Sequence, residues 1–226
     1  MSKFQFDFND SPDCKLYVVS DLHLNHKQEF LWRPRGFKSA QDHTRGLIDK
    51  INQVCRPQDI LLSLGDPTLN TPPKDFDNLV SQIKCQQWWL KGNHNNPWEK
   101  DYQSECTLIL EYEAPLSDYF KPEINGLKFK NNITIWGQYL EFNWNGQPTC
   151  FFHYPIAVWN QMQHGSWCLC GHSHYSFQLS RAEDTTMKLL DCGWEGNNGP
   201  WSFEEVKAVM NKKKIPQQDH HNEKTN

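Results

Sequence analysis

Short apolar runs recur along the chain and alternate with segments of helical spacing. The strand-like runs are KLYVVS (15–20), ILLSL (60–64), QWWLK (87–91), TCFF (149–152) and SWCLC (166–170). Apolar residues recur at three- and four-residue intervals within 42–55 and again within 76–83, which predicts two helices. Strands that alternate with amphipathic helices are typical of α/β proteins, and we predict this fold class.

Two Asn-Gly pairs lie between strand-like segments of the second half of the chain. They are Asn125-Gly126 and Asn145-Gly146. Asn-Gly favours tight two-residue hairpins. We therefore predict that this later region is more antiparallel than the first.

The end of the chain changes character after one more helix. Ser202 and Glu205 have the spacing of a capping box and follow Pro200, so we predict that a helix starts there. From about Asn211 the sequence is polar and without periodicity. We predict a single domain over 1–210, a disordered polar tail over 211–226, and no internal repeat.

Composition and charge narrow the functional class. The 226 residues include thirteen Phe, ten Trp and seven Tyr, enough for a large core, and the formal charge of -4 gives no general attraction to a polyanion. No signal peptide or transmembrane segment is recognisable, so we expect an intracellular, cytoplasmic protein. The eight cysteines are then expected to be free, buried thiols.

Side chains of the metal-ligand type follow all five predicted strands. The segments are, in order, Asp21-Leu22-His23, Gly65-Asp66, Gly92-Asn93-His94, His153 and Gly171-His172-Ser173-His174. Strand ends in α/β folds converge on one crevice, so these residues are expected to gather there. In an extended segment residues i and i+2 face the same way, which would let Asp21 and His23 point together, like His172 and His174.

Each motif alone has an ordinary explanation. A single D-x-H or H-x-H is common by chance, Gly65-Asp66 is a turn signal, and Asn93 is a turn or cap residue. The ordered combination after five strands is not typical of solvated loops. Mixed oxygen and nitrogen ligands favour two hard-to-borderline metal ions over a thiolate zinc site.

The order D-x-H, G-D, G-N-H, H, G-H-x-H, from Asp21 to His174, resembles the signature of the calcineurin-like metallophosphoesterase superfamily. The stretches SDLHLNHKQEF, WRPRGF, HYPIAVWN and GWEGNNGPWSFEEV are similar to those of small stand-alone phosphoesterases of bacteria and phages. The resemblance implies a four-layer α/β/β/α sandwich, with two mixed sheets flanked by helices, in the cytoplasm of a bacterial host.

The resemblance also implies a ligand set. It places Asp21, His23 and His174 on one metal and Asn93, His153 and His172 on the other, with Asp66 bridging both and His94 free of metal to act in catalysis. The implied cofactors are two divalent or mixed-valence ions, most often Mn, with Fe, Zn, Ni or Co as alternatives. The sequence departs from the family pattern at Leu69 and Asn95, where many members carry an acidic residue that orients the catalytic histidine.

The implied activity is phosphoester hydrolysis by in-line attack of a metal-bridging hydroxide on phosphorus. We expect a phosphodiesterase acting on small nucleotides or similar diesters. The alternatives are a protein or small-molecule phosphomonoesterase, a DNA or RNA nuclease, and a non-catalytic binding scaffold. The acidic composition disfavours a nucleic acid polymer as partner, and no membrane partner is expected.

Several further residues are weaker candidates. His26 and Arg33 follow the D-x-H motif and are either substrate contacts or surface residues. His43 and His164 are candidates for supporting the ligands, and Trp159, Trp194 and Trp201 are either stacking platforms for a base or core aromatics.

Overall fold

The structure, a computed structural model, describes residues 14–94, 133–135, 138–180 and 187–215. Its first sheet has the strand order β4-β3-β2-β1-β9. The strands are β1 (Leu16–Val19), β2 (Ile60–Ser63), β3 (Gln86–Trp89), β4 (Ile133–Ile135) and β9 (Trp201–Ser202). β1 to β4 pair in parallel and β9 pairs antiparallel to β1. The register aligns Val19 with Ser63 and Ser63 with Trp89, so the chain leaves three neighbouring strands at one level.

The second sheet has the order β5-β6-β7-β8. Its strands are β5 (Tyr139–Trp144), β6 (Gln147–Phe152), β7 (Trp167–Cys170) and β8 (Leu189–Asp191). The predicted hairpin at Asn145-Gly146 is confirmed, because β5 and β6 are antiparallel and both turn residues have positive φ, 49° and 77°. Beyond this hairpin the antiparallel prediction does not extend to the rest of the second sheet, because β6, β7 and β8 pair in parallel. Asn125-Gly126 lies outside the described residues.

The helices of the described part are α1 (Glu29–Trp32), α2 (Ala40–Val54), α3 (Pro73–Val80), α4 (Ser176–Ser180), α5 (Trp194–Asn197) and α6 (Phe203–Met210). α2 and α3 are the two helices that apolar spacing predicts. The predicted capping box is confirmed, since the Ser202 and Glu205 side chains each bond the other residue's backbone N–H at the start of α6.

Three apolar clusters pack the sheets. One joins both sheets and includes Val18, Leu62, Phe151 and Leu169, with the rings of Trp88 and Phe142 in edge contact across it. A second packs α2 on the first sheet, through residues such as Leu47, Ile51, Val19 and Leu61. A third covers Cys150, Cys168 and Leu189 of the second sheet with Trp159 and Met162. The predicted α/β class, with two mixed sheets and helices, is confirmed.

The start of the predicted tail contacts the domain. Lys213 Nζ donates to the carbonyl oxygen of Leu189 at 2.6 Å, whereas 216–226, with His220 and His221, lie outside the described residues. The seven cysteines of the described part are free and buried, as predicted. None of the helices in the described ranges is long and apolar enough to cross a bilayer.

Candidate metal centre

The strand-end loops of both sheets meet at one place. The Asp21 N–H donates to the Gly65 carbonyl, and the His172 N–H donates to Asp21 Oδ2 at 2.8 Å, which joins the loop after β1 to the loops after β2 and β7. His153, at the end of β6, directs Nδ1 to the carbonyl oxygen of Leu64 at 3.0 Å. The centre therefore lies between the two sheets, at the carboxyl ends of their strands, as predicted from the sequence.

Left-handed backbone conformations concentrate at the candidate ligands. Positive φ angles occur at Asp21 (57°), His23 (48°), Asp66 (50°), His172 (70°) and His174 (50°). Such conformations cost free energy in residues with a Cβ and cluster at functional sites. The expectation that strand-like alternation aligns residues i and i+2 was wrong, because these loops turn instead of extending.

The first site consists of Asp21, His23 and His174, whose ligand atoms all lie within 4.8 Å of one another. Asp21 Oδ1 lies 3.9 Å from the Nε2 atoms of both histidines. The two imidazole rings stack with centroids 5.0 Å apart. Asp21 and His23 are buried, whereas His174 is partly exposed. This is the trio that the resemblance assigns to one metal.

The second site consists of Asn93, His153 and His172. Asn93 Oδ1 lies 2.7 Å from His153 Nε2 and 2.8 Å from His172 Nδ1. His153 is fully buried, whereas Asn93 and His172 are exposed. The structure thus also gathers the trio that the resemblance assigns to the other metal.

Asp66 lies between the two sites. The ligand atoms of Asp66, Asp21 and His153 all lie within 4.8 Å of one another. The same holds for the ligand atoms of Asp66, His23 and His94. Asp66 Oδ2 is 3.4 Å from His153 Nε2 and 3.5 Å from His94 Nε2. One buried carboxylate is therefore within reach of both sites, which is the place expected of a bridging ligand.

The carboxylate beside His94 is that of Asp66, which the resemblance assigns to both metals and which is not the orienting acidic residue that Leu69 and Asn95 replace. The His94 backbone N–H donates to Asp66 Oδ1 at 3.2 Å, and the His94 ring lies in edge contact with that of His23. Leu69 is half-buried, and Asn95 lies outside the described residues.

The directions and partners of the buried acceptor atoms test whether these residues fit a cation. Because His153 Nδ1 donates to a carbonyl, a neutral His153 directs the lone pair of Nε2 at two oxygen atoms, Asn93 Oδ1 and Asp66 Oδ2. Asp21 Oδ1 and His23 Nδ1 are buried without a hydrogen-bond partner among the described residues. Buried acceptors are normally paired, so the unpaired Asp21 Oδ1, which lies 3.9 Å from the Nε2 atoms of His23 and His174, fits a bound metal ion.

The protonation states of the buried Asp21 and His23 favour the same conclusion. Burial, with the nearby His174, lowers the pKa of His23 to about 2, so its imidazole is neutral and can act as a ligand. Burial raises the pKa of Asp21 to about 6, against the opposing effects of His174 and His153. A carboxylate that burial makes costly to ionise gains the most from a nearby cation.

Two glycines leave room for the ligands. A Cβ on Gly92 would overlap Asp66 Oδ1, and one on Gly171 would overlap Ser20 Oγ and lie 2.6 Å from Asp21 Oδ2. The glycines of the G-N-H and G-H-x-H motifs therefore allow neighbouring loops to approach closely.

Three residues that the sequence did not single out support the ligands. Arg35 and Glu195 lie behind His174, and Asp191 lies behind the H-x-H loop. Asp191 accepts hydrogen bonds from the Ser173 hydroxyl and from the backbone N–H groups of Tyr175 and Gly193. Arg35 and Glu195 lie within WRPRGF and GWEGNNGPWSFEEV, two stretches that carry the resemblance, but neither the resemblance nor periodicity assigned them a role.

The weaker candidates divide between centre and surface. His26 is buried with its ring against His23, at a centroid distance of 5.7 Å. Arg33 is on the surface, three-quarters exposed and paired with Glu29 at 3.2 Å, so the arginine that reaches the centre is Arg35. His43 contacts Arg35, and His164 is exposed in a 3₁₀ turn, Met162–His164.

The proposed stacking tryptophans do not reach solvent. Trp159, Trp194 and Trp201 are 6%, 2% and 4% exposed, so they serve the core and cannot stack on a base without unfolding part of it. Phe30, by contrast, is 73% exposed and contacts His26, with ring centroids 5.5 Å apart.

Comparison with known proteins identifies the fold but no activity. No protein-family model matches the chain. An uncharacterized protein of Methanocaldococcus jannaschii is 31% identical over 87 residues, which are 38% of this chain and 49% of that protein, so the chain spans about half the length of this curated relative. The crystal structure of a protein of unknown function from Aquifex aeolicus matches 87% of this chain and all of its own, with a TM-score of 0.58 and 17% identity. At that identity the likeness establishes a shared fold alone.

Proposed function

We propose that the protein is a binuclear metal-dependent phosphoester hydrolase of the calcineurin-like type. The observation that carries the proposal is the convergence of five strand-end loops on two adjoining sets of oxygen and nitrogen donors, with Asp66 within reach of both. A structural zinc site would be single and closed by four ligands. Two adjoining sites that include exposed donors suit substrate access instead.

The packing of the sheets supports the finer fold assignment. Apolar clusters lie between the two sheets, between α2 and the first sheet, and on the other face of the second sheet. A four-layer α/β/β/α sandwich of the metallophosphoesterase type accounts for this order of clusters. We include that sandwich in the proposal.

The first and second sites would each hold one ion, with Asp66 shared. Mixed carboxylate, amide and imidazole donors suit Mn and also Fe, Zn, Ni or Co. When bound, two such ions would polarise phosphoryl oxygens and lower the pKa of a bound water towards neutrality.

The chain's own residues would bind and orient the substrate. His94 is a third exposed, and its ring faces the buried carboxylate of Asp66. Held in this way, it can direct a proton to the oxygen of the leaving group. The His26 ring is in edge contact with the rings of both His23 and the exposed Phe30.

We propose small phosphodiesters as the substrates. The formal charge of -4 provides no broad basic surface for a polymer, so attraction to phosphate has to be local. The exposed ring of Phe30 contacts His26, which in turn contacts His23. Phe30 therefore offers an apolar surface to an aromatic leaving group such as a nucleoside. Nucleotide-like diesters combine both features.

The test is Asp66→Asn. Because Asp66 is within reach of both sites, its loss should weaken the binding of both ions and nearly abolish hydrolysis of bis(p-nitrophenyl) phosphate. Elemental analysis of the wild-type protein should give two ions per chain. Asp49→Asn, an exposed carboxylate in a surface pair with Arg45, is the matched control and should change neither quantity. One tightly bound ion that survives Asp66→Asn would contradict the binuclear centre.

A further inference from the structure

Arg35 is buried behind the first site. Its side chain is 1% exposed, and an arginine cannot lose its charge, so its burial is tolerated only if its N–H groups are bonded. Nη2 donates to the carbonyl oxygen of Asp21 at 2.8 Å and Nη1 to that of Leu22 at 3.1 Å. Nε donates to Glu195 Oε1 at 2.8 Å. Arg35 therefore holds the backbone from which Asp21 and His23 extend.

His43 completes the partners of Arg35. Arg35 Nη1 lies 3.1 Å from His43 Nε2, and since a guanidinium only donates, that nitrogen accepts. Burial, followed by the neighbouring Arg35 charge, lowers the pKa of His43 to about 3, in agreement with a neutral ring. His43 lies on α2, so the long helix helps to fix the guanidinium.

Glu195 fixes the orientation of His174. Its Oε1 lies 3.3 Å from His174 Nδ1, and a carboxylate only accepts, so Nδ1 carries the proton. The lone pair of Nε2 is then left on the side of Asp21 Oδ1. Arg35 Nη2 is also 3.3 Å from Nδ1, but two donors do not bond each other, so this is a packing contact. A carboxylate behind a histidine ligand sets its tautomer and raises its basicity.

The charges of the two residues also cancel near the first site. A buried guanidinium alone would repel a cation, but Glu195 Oε1 lies 2.7 Å from Arg35 Nη2. The second site is built differently. Its exposed members, Asn93 and His172, are bonded to each other at 2.8 Å.

We propose that Arg35 and Glu195 are positioning residues that make the first site the tighter of two unequal metal sites. The inference rests on the proposed binuclear centre. Because the guanidinium and carboxylate fix both backbone and tautomer, the first ion should bind to an organised site. The second ion should bind more weakly, because the exposed Asn93 and His172 are bonded to each other and must give up that contact as it binds.

The experiment is a Mn²⁺ titration of the metal-free, full-length protein by calorimetry, with native mass spectrometry to count ions. Wild-type protein should bind two ions with clearly different dissociation constants. Glu195→Gln keeps the shape of the side chain but removes the charge, and should weaken the tighter site about 10- to 100-fold while the weaker site changes little. Arg35→Lys should act in the same direction, because a lysine lacks the planar fork.

The exposed pair Arg33 and Glu29 supplies matched controls with the same residue types, and Arg33→Lys and Glu29→Gln should leave both dissociation constants unchanged. Circular dichroism of the metal-free variants separates a folding defect from a positioning effect; Glu195→Gln is the variant to interpret if Arg35→Lys does not fold. If the wild type binds two ions but Glu195→Gln leaves both sites unchanged, or weakens both equally, only the positioning role is overturned. A wild-type protein that binds no Mn²⁺ would overturn the metal centre as well.

Discussion

At the scale of single residues, His94 is compatible with two roles. Its ligand atom groups with those of His23 and Asp66, yet its side chain is a third exposed and therefore accessible to a substrate. Under the proposed function we expect His94→Ala to lower kcat/KM about 10²- to 10⁴-fold for esters with poor alkoxide leaving groups, and much less for nitrophenyl esters, which need little protonation. The measurement is a series of leaving groups of graded pKa.

Metal content distinguishes the two roles of His94. A proton donor can be removed without loss of either ion, so His94→Ala should retain the wild-type stoichiometry. If the variant instead loses an ion and all esters in the series suffer equally, His94 is a ligand and not an acid.

The glycines Gly92 and Gly171, beside the candidate ligands, leave no room for a larger side chain. In Gly171→Ala the new methyl group would overlap Ser20 Oγ, and Gly92→Ala would overlap Asp66 Oδ1. We expect each to lower the unfolding free energy by about 1–3 kcal/mol and to impair metal binding, since overpacking displaces the ligand atoms. Gly199→Ala is the control, because a Cβ there would first meet the flexible Lys50 at 3.4 Å. Comparable stability in all three variants would contradict the close approach.

At the scale of elements, the sequence predicted the strands that carry the candidate ligands but not the residues that support those ligands. Strong apolar runs mark β1, β2, β3, β6 and β7, whereas β8 and β9 have three and two residues and are too short to show a pattern. The candidate ligands were predictable because they follow those runs directly. Arg35 and Glu195 were not, because one lies in a loop and the other in the four-residue helix α5, and only tertiary contact brings them together.

Asp59 joins the starts of two neighbouring strands. Its fully buried carboxylate accepts from the Lys15 backbone N–H before β1 and from the backbone and side chain of Arg56 before β2. Burial raises the pKa of Asp59, but the hydrogen bonds from Arg56 and Lys15 outweigh it, and the pKa is lowered overall. The folded state therefore favours the ionised carboxylate.

That shift predicts how stability depends on pH. A lowered folded-state pKa adds stability that is complete above the unfolded-state pKa of about 4 and is lost as pH falls through the folded-state value. In urea denaturation of the metal-free protein, Asp59→Asn should cost about 1–3 kcal/mol at pH 7, and the gap to wild type should shrink below about pH 4. Asp49→Asn, on the surface, should show a small and nearly constant gap. A gap for Asp59→Asn that widens in acid would contradict the assignment.

At the scale of the whole molecule, net charge bears on which phosphoesters the proposed centre would hold. The chain has a formal charge of -4, with 23 Lys and Arg against 27 Asp and Glu, so a polyanion meets no general attraction. Two bound divalent ions would add roughly four positive charges at one point, which concentrates the attraction on one or two phosphates. A polymer gains little from such a site, because its other phosphates remain in an unfavourable field.

Salt dependence should reveal this difference. Under the proposed function we expect kcat/KM for a small nucleotide-like diester to exceed that for the matching monoester and for a single-stranded oligonucleotide, and to change only modestly between 50 and 200 mM salt. A protein that neutralises 6–10 phosphates of a polymer would lose roughly 10³- to 10⁵-fold in affinity over that range, because each contact releases counterions. Phe30→Ala is the companion variant: loss of its exposed ring should weaken binding of an aryl diester more than that of a dimethyl diester. A preference for the oligonucleotide, with an affinity that falls steeply as salt rises, would identify a nuclease instead. Such a result would leave the proposed metal centre intact and change only its substrate.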